Sequence, residues 1–189
     1  KGLSGKIIKS FSVSSKVDKL AAHLGLETIT TKIGFKYICE IMQNEDVLVG
    51  GEESGGIAVK GHIPERDGIW DGLVIVEHLV KNEQKLQDLI DEVYEVVGSF
   101  AVERNDLHLE ESLKLSIIEN CKSGKYKSFG KYNVTSVEDM DGFKFHLVNG
   151  GWVMIRPSGT EPVLRTYSEA ANSDESFAIL EATKATLLN

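Results

Sequence analysis

The first half of the chain alternates between strand-like and helix-like spacing of its hydrophobic residues. A run over 6–13 predicts a strand, and the spans 28–31 and 46–49 predict two more. A helix over 35–43 separates the last two of these strands. Another helix follows the first strand and ends at Gly25, because four apolar residues recur there at helical spacing: Val17, Leu20, Ala21 and Leu24. Strands that alternate with helices predict an α/β domain.

The pattern changes after Gly98-Ser99, which we interpret as a hinge between domains that cover residues 1–98 and 99–189. Two more helices, over 67–80 and 86–97, complete the first domain. The second domain has this predicted order: a helix over 110–120, strands over 134–137, 143–148, 152–155 and 164–167, and a helix over 177–188 that is capped near Ser173. Strands grouped in this way predict an antiparallel α+β domain.

The strand over 143–148 alternates three apolar residues with Lys144 and His146, which predicts one buried face and one wet face. Both of its ends carry turn signals. Asn149-Gly150-Gly151 predicts a hairpin turn after it. The Asp-Gly pair in the stretch 139–142 predicts another turn before it.

Two loops about a hundred residues apart carry the candidate chemistry. The first, over 50–56, reads GGEESGG and directly follows the predicted strand 46–49. Its glycines let the backbone approach a ligand closely, while Glu52 and Ser54 offer a carboxylate and a hydroxyl. In open α/β sheets, ligands bind beyond the carboxyl ends of strands, so this position suits a binding loop.

The second loop, over 156–162, reads RPSGTEP and has the composition of an anion-binding turn. Arg156 supplies a planar fork of donors that matches a phosphate group. Ser158 and Thr160 add hydroxyls, and Gly159 allows the backbone N–H groups to turn inward. Acceptors for sugar hydroxyls in one loop and donors for phosphate in the other predict a sugar-phosphate ligand.

Charge and composition narrow the classes of function. The chain has 189 residues and a formal net charge of −8, which argues against nucleic acid as a partner. No apolar run approaches the roughly 20 residues that span a bilayer. Cys39 and Cys121 lack the spacing of a metal or redox motif, which favours reduced thiols in a reducing compartment.

These motifs resemble the C-terminal half of the α-D-phosphohexomutases, the phosphoglucomutase and phosphomannomutase enzymes. The stretch 51–56 resembles the sugar-binding loop of the family, and 156–162 resembles its phosphate-binding loop. The segments 34–38 and 62–68 resemble the stretches on either side of the sugar loop. The resemblance therefore covers almost the whole chain.

The resemblance implies a fold and a set of binding residues. The fold is the mixed-sheet α/β domain 3 of the family, followed by a TATA-box-binding-protein-like α+β domain with a four-stranded antiparallel sheet. The sugar-binding residues would be Gly51, Glu52, Ser54, Lys36 and Arg66, and the phosphate-binding residues would be Arg156, Ser158, Gly159, Thr160 and Arg165. For Arg165, a structural ion pair is an equally good interpretation, and His62 fits a structural role as well as a site role.

The implied reaction interconverts a hexose 1-phosphate and a hexose 6-phosphate through a hexose 1,6-bisphosphate. Glucose 1,6-bisphosphate would be its intermediate and activator. Family members carry a phosphoserine in domain 1 and a Mg²⁺ loop in domain 2, and neither motif occurs in this sequence. The stretch 139–142 is only superficially similar to that loop.

No methionine opens the chain, so we expect a fragment that holds domains 3 and 4 and is inactive by itself. Domain 2 would hold the Mg²⁺, which leaves this chain without catalytic or metal-binding residues of its own. Its partners would be a hexose phosphate and the N-terminal domains 1 and 2 of the same protein, with neither nucleic acid nor membrane. The expected location is the cytoplasm.

Two questions stay open in the sequence. The Gly-Glu-Glu-Ser form of the sugar loop resembles family members that use glucose, or glucose and mannose. Glucosamine enzymes usually carry Gln or Met at the position of Glu53 and a histidine near Gly56. The alternatives from other classes are a non-catalytic sugar-phosphate-binding regulatory module and a purely structural protein.

Overall fold

A computed structural model describes residues 2–158 and 163–189 of the chain. The chain divides into two compact units, Lys1–Gly98 and Ser99–Asn189. Within the described residues, no helix is both long enough and apolar enough to cross a membrane.

The first unit is built on a four-stranded sheet in the order β2-β1-β3-β4. Its elements are β1 (Lys6–Ser10), α1 (Lys16–His23), β2 (Thr28–Thr31), α2 (Phe35–Asn44), β3 (Val47–Gly51), β4 (Ile57–Val59), α3 (Gly68–Asn82) and α4 (Leu86–Val97). Strand β1 runs parallel to β2 and β3, whereas β4 is antiparallel to β3. The sheet is mixed, which confirms the predicted fold class of this part of the chain.

Two strand predictions in the first unit need correction. Strand β1 ends at Ser10 rather than at residue 13, because the chain turns there with a hydrogen bond from Val13 N to Ser10 O. The short strand β4 was missed, since its three residues form a strand by pairing with β3 rather than through a pattern of their own. Together β3 and β4 place the loop that joins them at the carboxyl end of β3.

The core of the first unit lies between α2 and the sheet. Its buried members are Ile8, Phe35, Ile38, Val47 and Ala58. A side-chain atom at Gly50 would lie 2.3 Å from Ile38 Cγ2. The end of β3 therefore passes directly against α2, and only glycine fits at this point of closest approach.

The second unit contains one six-stranded antiparallel sheet in the order β5-β10-β9-β8-β7-β6. Its elements are β5 (Ala101–His108), α5 (Glu111–Lys122), β6 (Ser128–Phe129), β7 (Tyr132–Glu138), β8 (Phe143–Leu147), β9 (Trp152–Pro157), β10 (Val163–Ala170) and α6 (Ser173–Leu188). The α+β class is confirmed, and the predicted turn over 139–142 does join β7 to β8. Helix α6 is capped next to Ser173, as predicted, by Asn172, whose side chain accepts a hydrogen bond from Glu175 N.

The prediction of four strands in the second unit was wrong, because the sheet has six. Strand β5 reads AVERNDLH, with charged and apolar residues mixed on both faces. It forms because it pairs along its whole length with β10, from Ala101 to His108. Strand β6 has only two residues and gives no periodic signal.

The wet face predicted for β8 was also wrong. Lys144 is only 4% exposed, and its Nζ lies 4.6 Å from the centre of the Trp152 ring. A cation over the face of a tryptophan ring is stabilised by the ring quadrupole. On the other side of the same sheet, Phe145, Val153 and Ile155 belong to the apolar core. Both faces of β8 therefore contribute to buried structure.

We expect Gly50→Ala to destabilise the first unit by about 1–3 kcal/mol, the usual cost of overpacking a core. The added methyl group would collide with the fully buried side chain of Ile38. Amide hydrogen exchange at Ile8 and Ile38 measures the change. Gly72→Ala is the matched control, because a side-chain atom at this position of α3 meets nothing within 4 Å. Equal protection in the Gly50→Ala protein and the unaltered chain would contradict the prediction.

Candidate functional site

The loop between β3 and β4 is a tight, hydrogen-bonded turn. Glu52 N donates to Gly56 O at 2.9 Å, and Gly55 N donates to Glu52 O at 3.1 Å. Gly55 has a φ of +85°, a value that favours glycine. Ser54 is exposed at the tip, and Gly51 is the last residue of β3. The turn therefore holds Glu52 at its base and presents Ser54 to solvent.

The Glu52 carboxylate joins this loop to α2. Its Oε1 accepts a hydrogen bond from Gly34 N at 2.9 Å, and Gly34 is the N-cap residue of α2. Its Oε2 lies 4.0 Å from Arg66 Nη1. The Glu52 side chain is only 9% exposed. A carboxylate at a helix N-terminus is stabilised by the helix dipole, so these contacts fix the position of the Glu52 side chain.

Glu53 reaches toward the end of β1, away from the contacts of Glu52. Its Oε2 accepts hydrogen bonds from the hydroxyls of Ser12 and, at 3.3 Å, Ser10. Both serines are fully buried. Sequence reasoning missed these two residues, because buried hydroxyls in the β1 region carry no motif. The two carboxylates of the loop thus anchor it at two different places.

Lys36 and Arg66 lie on a common cavity of about 550 Å³. Arg66 extends over the Phe35 ring, with its Cζ 5.2 Å from the ring centre, and its Nε donates to Glu65 at 3.2 Å. The Arg66 backbone N–H and guanidinium together lower the pKa of Glu65. Of the five predicted sugar-site residues, the fold brings together Glu52, Lys36 and Arg66. Glu40 and Glu65 line the same cavity, so it carries charges of both signs.

Gly56 is packed beneath the stem of Arg66. A side-chain atom at Gly56 would lie 2.6 Å from Arg66 Cδ and 3.8 Å from Glu52 Oε2. Any larger residue at this position must move Arg66. The identity of residue 56 therefore controls where the Arg66 guanidinium lies relative to Glu52.

A cluster of three residues fixes the segment that carries Arg66. His62 Nε2 lies 2.9 Å from Asp67 Oδ2, and the His62 ring stacks on the Trp70 ring at 4.4 Å between centres. The other oxygen of Asp67 accepts from Ile69 N and Trp70 N and so caps α3. The pKa of Asp67 is lowered, chiefly by the Trp70 N–H and next by His62. Sequence reasoning had named His62, with a structural role as one alternative, but it had missed Asp67.

In the second unit, Arg156 on β9 lies directly opposite Arg165 on β10. The two strands meet beyond Pro157, where Ser158 N donates to Val163 O at 3.0 Å. Ser158 is buried. Gly159 and Thr160, the other predicted phosphate-site residues, lie outside the described residues. The described part of the motif thus places two guanidinium side chains and one serine at the same end of β9.

Each of these two arginines lies beside a carboxylate on the neighbouring element. Arg156 Nε donates to Asp141 Oδ1 at 3.2 Å, and Arg165 Nε lies 4.0 Å from Asp106 Oδ2. The pKa of Asp106 is lowered, first by its hydrogen bonds from Arg104 and then by other charges that include Arg165. The structural ion pair considered for Arg165 is present. A phosphate contact by the same residue stays a prediction.

Across residues 2–158 and 163–189, no group of three or more His, Cys, Asp or Glu side chains is placed to hold a metal ion. The Mg²⁺ that the family resemblance implies has no set of ligands among these residues. Both cysteines in this part of the chain are free thiols, and burial raises the pKa of Cys121 to about 12.

Two family models match the chain. The model for the α/β/α domain III of phosphoglucomutase/phosphomannomutase matches residues 1–97, and the model for the C-terminal domain of the same family matches residues 79–185. The chain belongs to the phosphoglucomutase/phosphomannomutase family.

Curated relatives carry more than one name within this family. A phosphoglucomutase/phosphomannomutase of Thermococcus kodakarensis is 28% identical over 94% of this chain and 36% of its own length. A phosphoglucosamine mutase of Methanocaldococcus jannaschii is 34% identical over 93% of this chain and 37% of its own length. The chain thus spans little more than a third of the length of these relatives.

Solved structures of the family share the fold. A crystal structure of a Thermus thermophilus protein described as a phosphomannomutase superposes with a TM-score of 0.80 at 28% identity, over 100% of this chain and 37% of that one. The Paramecium phosphoglucomutase parafusin gives a TM-score of 0.74 at 22% identity, over 96% of this chain and 37% of that one. An Aspergillus fumigatus N-acetylphosphoglucosamine mutase, solved with glucose 1,6-bisphosphate, gives a TM-score of 0.60 at 16% identity, over 95% of this chain and 38% of that one.

We expect His62→Ala to raise the pKa of Asp67 toward the usual range of an aspartate, although the hydrogen bonds from α3 should keep it lowered. The lowered pKa means that this carboxylate stabilises the fold at neutral pH, and that the contribution is lost as the pH falls through the pKa of the folded state. The first turn of α3 should fray in the same pH range. A carbon-13 NMR titration of the Asp67 carboxyl measures the pKa in both proteins.

An Asp67 pKa that does not change in the His62→Ala protein would show that the His62 contact is absent in solution. His78→Ala is the matched control. His78 is also on this unit but pairs with Asn82 rather than with a carboxylate.

Proposed function

We propose that this chain is the substrate-recognition part of a phosphohexomutase, an intramolecular phosphotransferase that interconverts hexose 1-phosphate and hexose 6-phosphate through a hexose 1,6-bisphosphate. The observation that carries the proposal is the pair of facing arginines, Arg156 and Arg165, beside the buried Ser158. Family membership supports the class of reaction. Because the chain spans about a third of its relatives, the activity belongs to a full-length protein.

The second unit would bind the phosphate group that is not reacting. A guanidinium group offers two parallel N–H donors to phosphate oxygens, and two such groups side by side suit a dianion. The backbone and hydroxyl donors of the RPSGTEP motif would complete the set, with Ser158, Gly159 and Thr160 in this role. Low exposure of the Arg156 side chain, at 19%, strengthens each charge-assisted bond.

The first unit would bind the hydroxyl edge of the sugar. Glu52 has one oxygen bonded to Gly34, so Oε2 is the atom that we assign to accept from a sugar hydroxyl. Ser54 is exposed at the loop tip and can donate or accept beside it. Gly51 has no side chain, so the backbone there can approach the ligand closely. The exposed Lys36 and Arg66 would bind the other phosphate. Because these contacts are few, a bisphosphate could bind in either orientation.

The bond-making chemistry lies outside this assignment. When bound, Mg²⁺ would neutralise charge on the transferring phosphoryl group, and the phosphoserine would exchange that group. The described residues do not fit a metal site, so we assign them no step of the transfer. We infer that the isolated chain binds hexose phosphates without converting them.

We favour glucose, or glucose and mannose, as the sugar, because of the Gly-Glu-Glu-Ser loop and the small residue at position 56. The packing of Arg66 against Gly56 supports this choice, since a histidine there would displace the guanidinium. Glucosamine phosphate is the second candidate. It is favoured by the phosphoglucosamine mutases among the curated relatives.

Arg156→Ala should weaken the binding of glucose 1,6-bisphosphate to this chain by about ten-fold or more, because charge-assisted hydrogen bonds contribute about 1.5–3 kcal/mol each. Arg156→Lys should recover only part of the loss, since an ammonium group lacks the bidentate geometry. Isothermal titration calorimetry measures the Kd. Lys184→Ala, which removes the same charge from an exposed position of the same unit, should leave the Kd nearly unchanged. Equal losses of affinity in the Arg156→Ala and Lys184→Ala proteins would show that Arg156 acts only through its charge. That result would contradict the assignment.

We expect the full-length protein to convert glucose 1-phosphate or mannose 1-phosphate with a higher kcat/KM than glucosamine 1-phosphate. The physical reason is that the position of Arg66 over Gly56 leaves Glu52 paired with a cation, so this carboxylate is less available to an ammonium group on the sugar. Coupled assays on the three substrates give the ratio. A preference for the amino sugar would assign the protein to the second candidate.

A further inference from the structure

A row of four charged residues runs across one face of the second sheet. Asp106 on β5 is in register with Arg165 on β10, and Arg165 is in register with Arg156 on β9. At the other end, Asp141 contributes both carboxylate oxygens to Arg156, at 3.2 Å to Nε and 3.5 Å to Nη2. The order across the sheet is therefore acid, base, base, acid.

The two central residues of this row carry like charge on directly opposed positions. Such pairs are destabilising between neighbouring strands. Both side chains are also largely removed from water, with 19% and 22% exposed for Arg156 and Arg165. A buried charge needs a partner of opposite charge. The outer carboxylates, Asp141 and Asp106, supply that charge without occupying the space between the arginines.

The turn that carries Asp141 is packed tightly against the backbone of β9. A side-chain atom at Gly142 would lie 2.8 Å from Ile155 O and 2.9 Å from Arg156 Cβ. Gly142 also has a φ of +94°, where other residues are strained. Only glycine allows the turn to come this close, and the close approach is what brings the Asp141 carboxylate alongside the Arg156 guanidinium.

We propose that Asp141 is a positioning residue for phosphate recognition, and that the turn over 139–142 exists to place it. Its two oxygens hold the guanidinium of Arg156 on one edge, so that the other edge faces Arg165. The inference rests on the proposed function, because it assigns phosphate as the group that Arg156 binds. It gives a role to the Asp-Gly turn that differs from metal binding, since both acidic oxygens are committed to an arginine.

Asp141 could either hold Arg156 in position or compete with phosphate for it. The two roles predict opposite changes in phosphate affinity when this carboxylate is neutralised. If Asp141 merely competed with phosphate for Arg156, then its removal would strengthen phosphate binding, because an anion near the ligand would be gone. If Asp141 holds the guanidinium in place, its removal leaves Arg156 with considerable rotamer entropy. Phosphate binding must then also order this side chain, and affinity falls. The sign of the change decides between the two.

The test compares Asp141→Asn with Asp139→Asn in this chain. Asp139 lies in the same turn, is exposed, and carries the same charge. Two measurements are made on each protein: the Kd for glucose 1,6-bisphosphate by calorimetry, and the nitrogen-15 heteronuclear NOE of the Arg156 Nε–Hε group without ligand. We expect Asp141→Asn to raise the Kd by at least about five-fold, the scale of one charge-assisted hydrogen bond, and to lower the NOE. Asp139→Asn should change the Kd by less than about two-fold, as for an exposed charge.

A Kd for Asp141→Asn that is equal to or lower than that of the unaltered chain would overturn the proposal, and so would an unchanged Arg156 NOE. If the unaltered chain fails to bind the bisphosphate, the proposed function fails, while the Arg156 NOE in the Asp141→Asn protein still decides whether Asp141 holds Arg156.

Discussion

In each of the two units, the candidate binding arginines lie beside a carboxylate that comes from a different part of the fold. Arg66 lies 4.0 Å from Glu52, Arg156 is bonded to Asp141, and Arg165 lies 4.0 Å from Asp106. A chain with a net charge of −8 has to gather positive charge locally if it is to bind an anion. Each acid fixes the direction of the guanidinium beside it, and Arg156 and Arg165 are also largely removed from water, whereas Arg66 is half exposed. If these arginines bind an anionic ligand as proposed, the positions of the acids determine where it is bound.

The acids are in turn positioned by close backbone packing. Glu52 reaches the N-terminus of α2 because β3 ends directly against that helix, at a point where Gly50 has no space for a side chain. Asp141 reaches Arg156 because Gly142 lets its turn press against β9. In the first unit the closely packed Gly50 precedes Glu52, and in the second unit the closely packed Gly142 follows Asp141. The glycines of these motifs thus act on the arginines indirectly, through the carboxylates that they bring into range.

The sequence predicted those parts of the fold that have a local signal. The helices were predicted because their apolar residues are periodic, and the strands β1, β2, β3, β7, β8, β9 and β10 because each contains a strand-like run of residues. The two loops were predicted because they are recognisable motifs. The strands β4, β5 and β6 were missed. Strand β5 forms by pairing with β10, which is distant in sequence, whereas β4 and β6 are too short to show a period of their own. Lys144 was placed in water because alternation cannot show that Trp152 covers it. The same limit applies to the site: Arg156 was visible in a motif, whereas Asp141, Asp106 and Ser12 are partners that only the folded chain brings near.

Paired arginines also bear on how such a site would work if the proposed function holds. In the row Asp106, Arg165, Arg156, Asp141 each arginine has an acid beside it, and Asp106 also accepts hydrogen bonds from Arg104. A phosphate that met the two arginines without these acids would have to order both side chains itself, and this cost would lower its affinity. In a reaction that reverses and turns its bisphosphate around, the same phosphate site must bind and release in every cycle. Carboxylates that hold the arginines in place before the phosphate arrives remove this cost, so the site offers the same geometry to phosphate in every cycle.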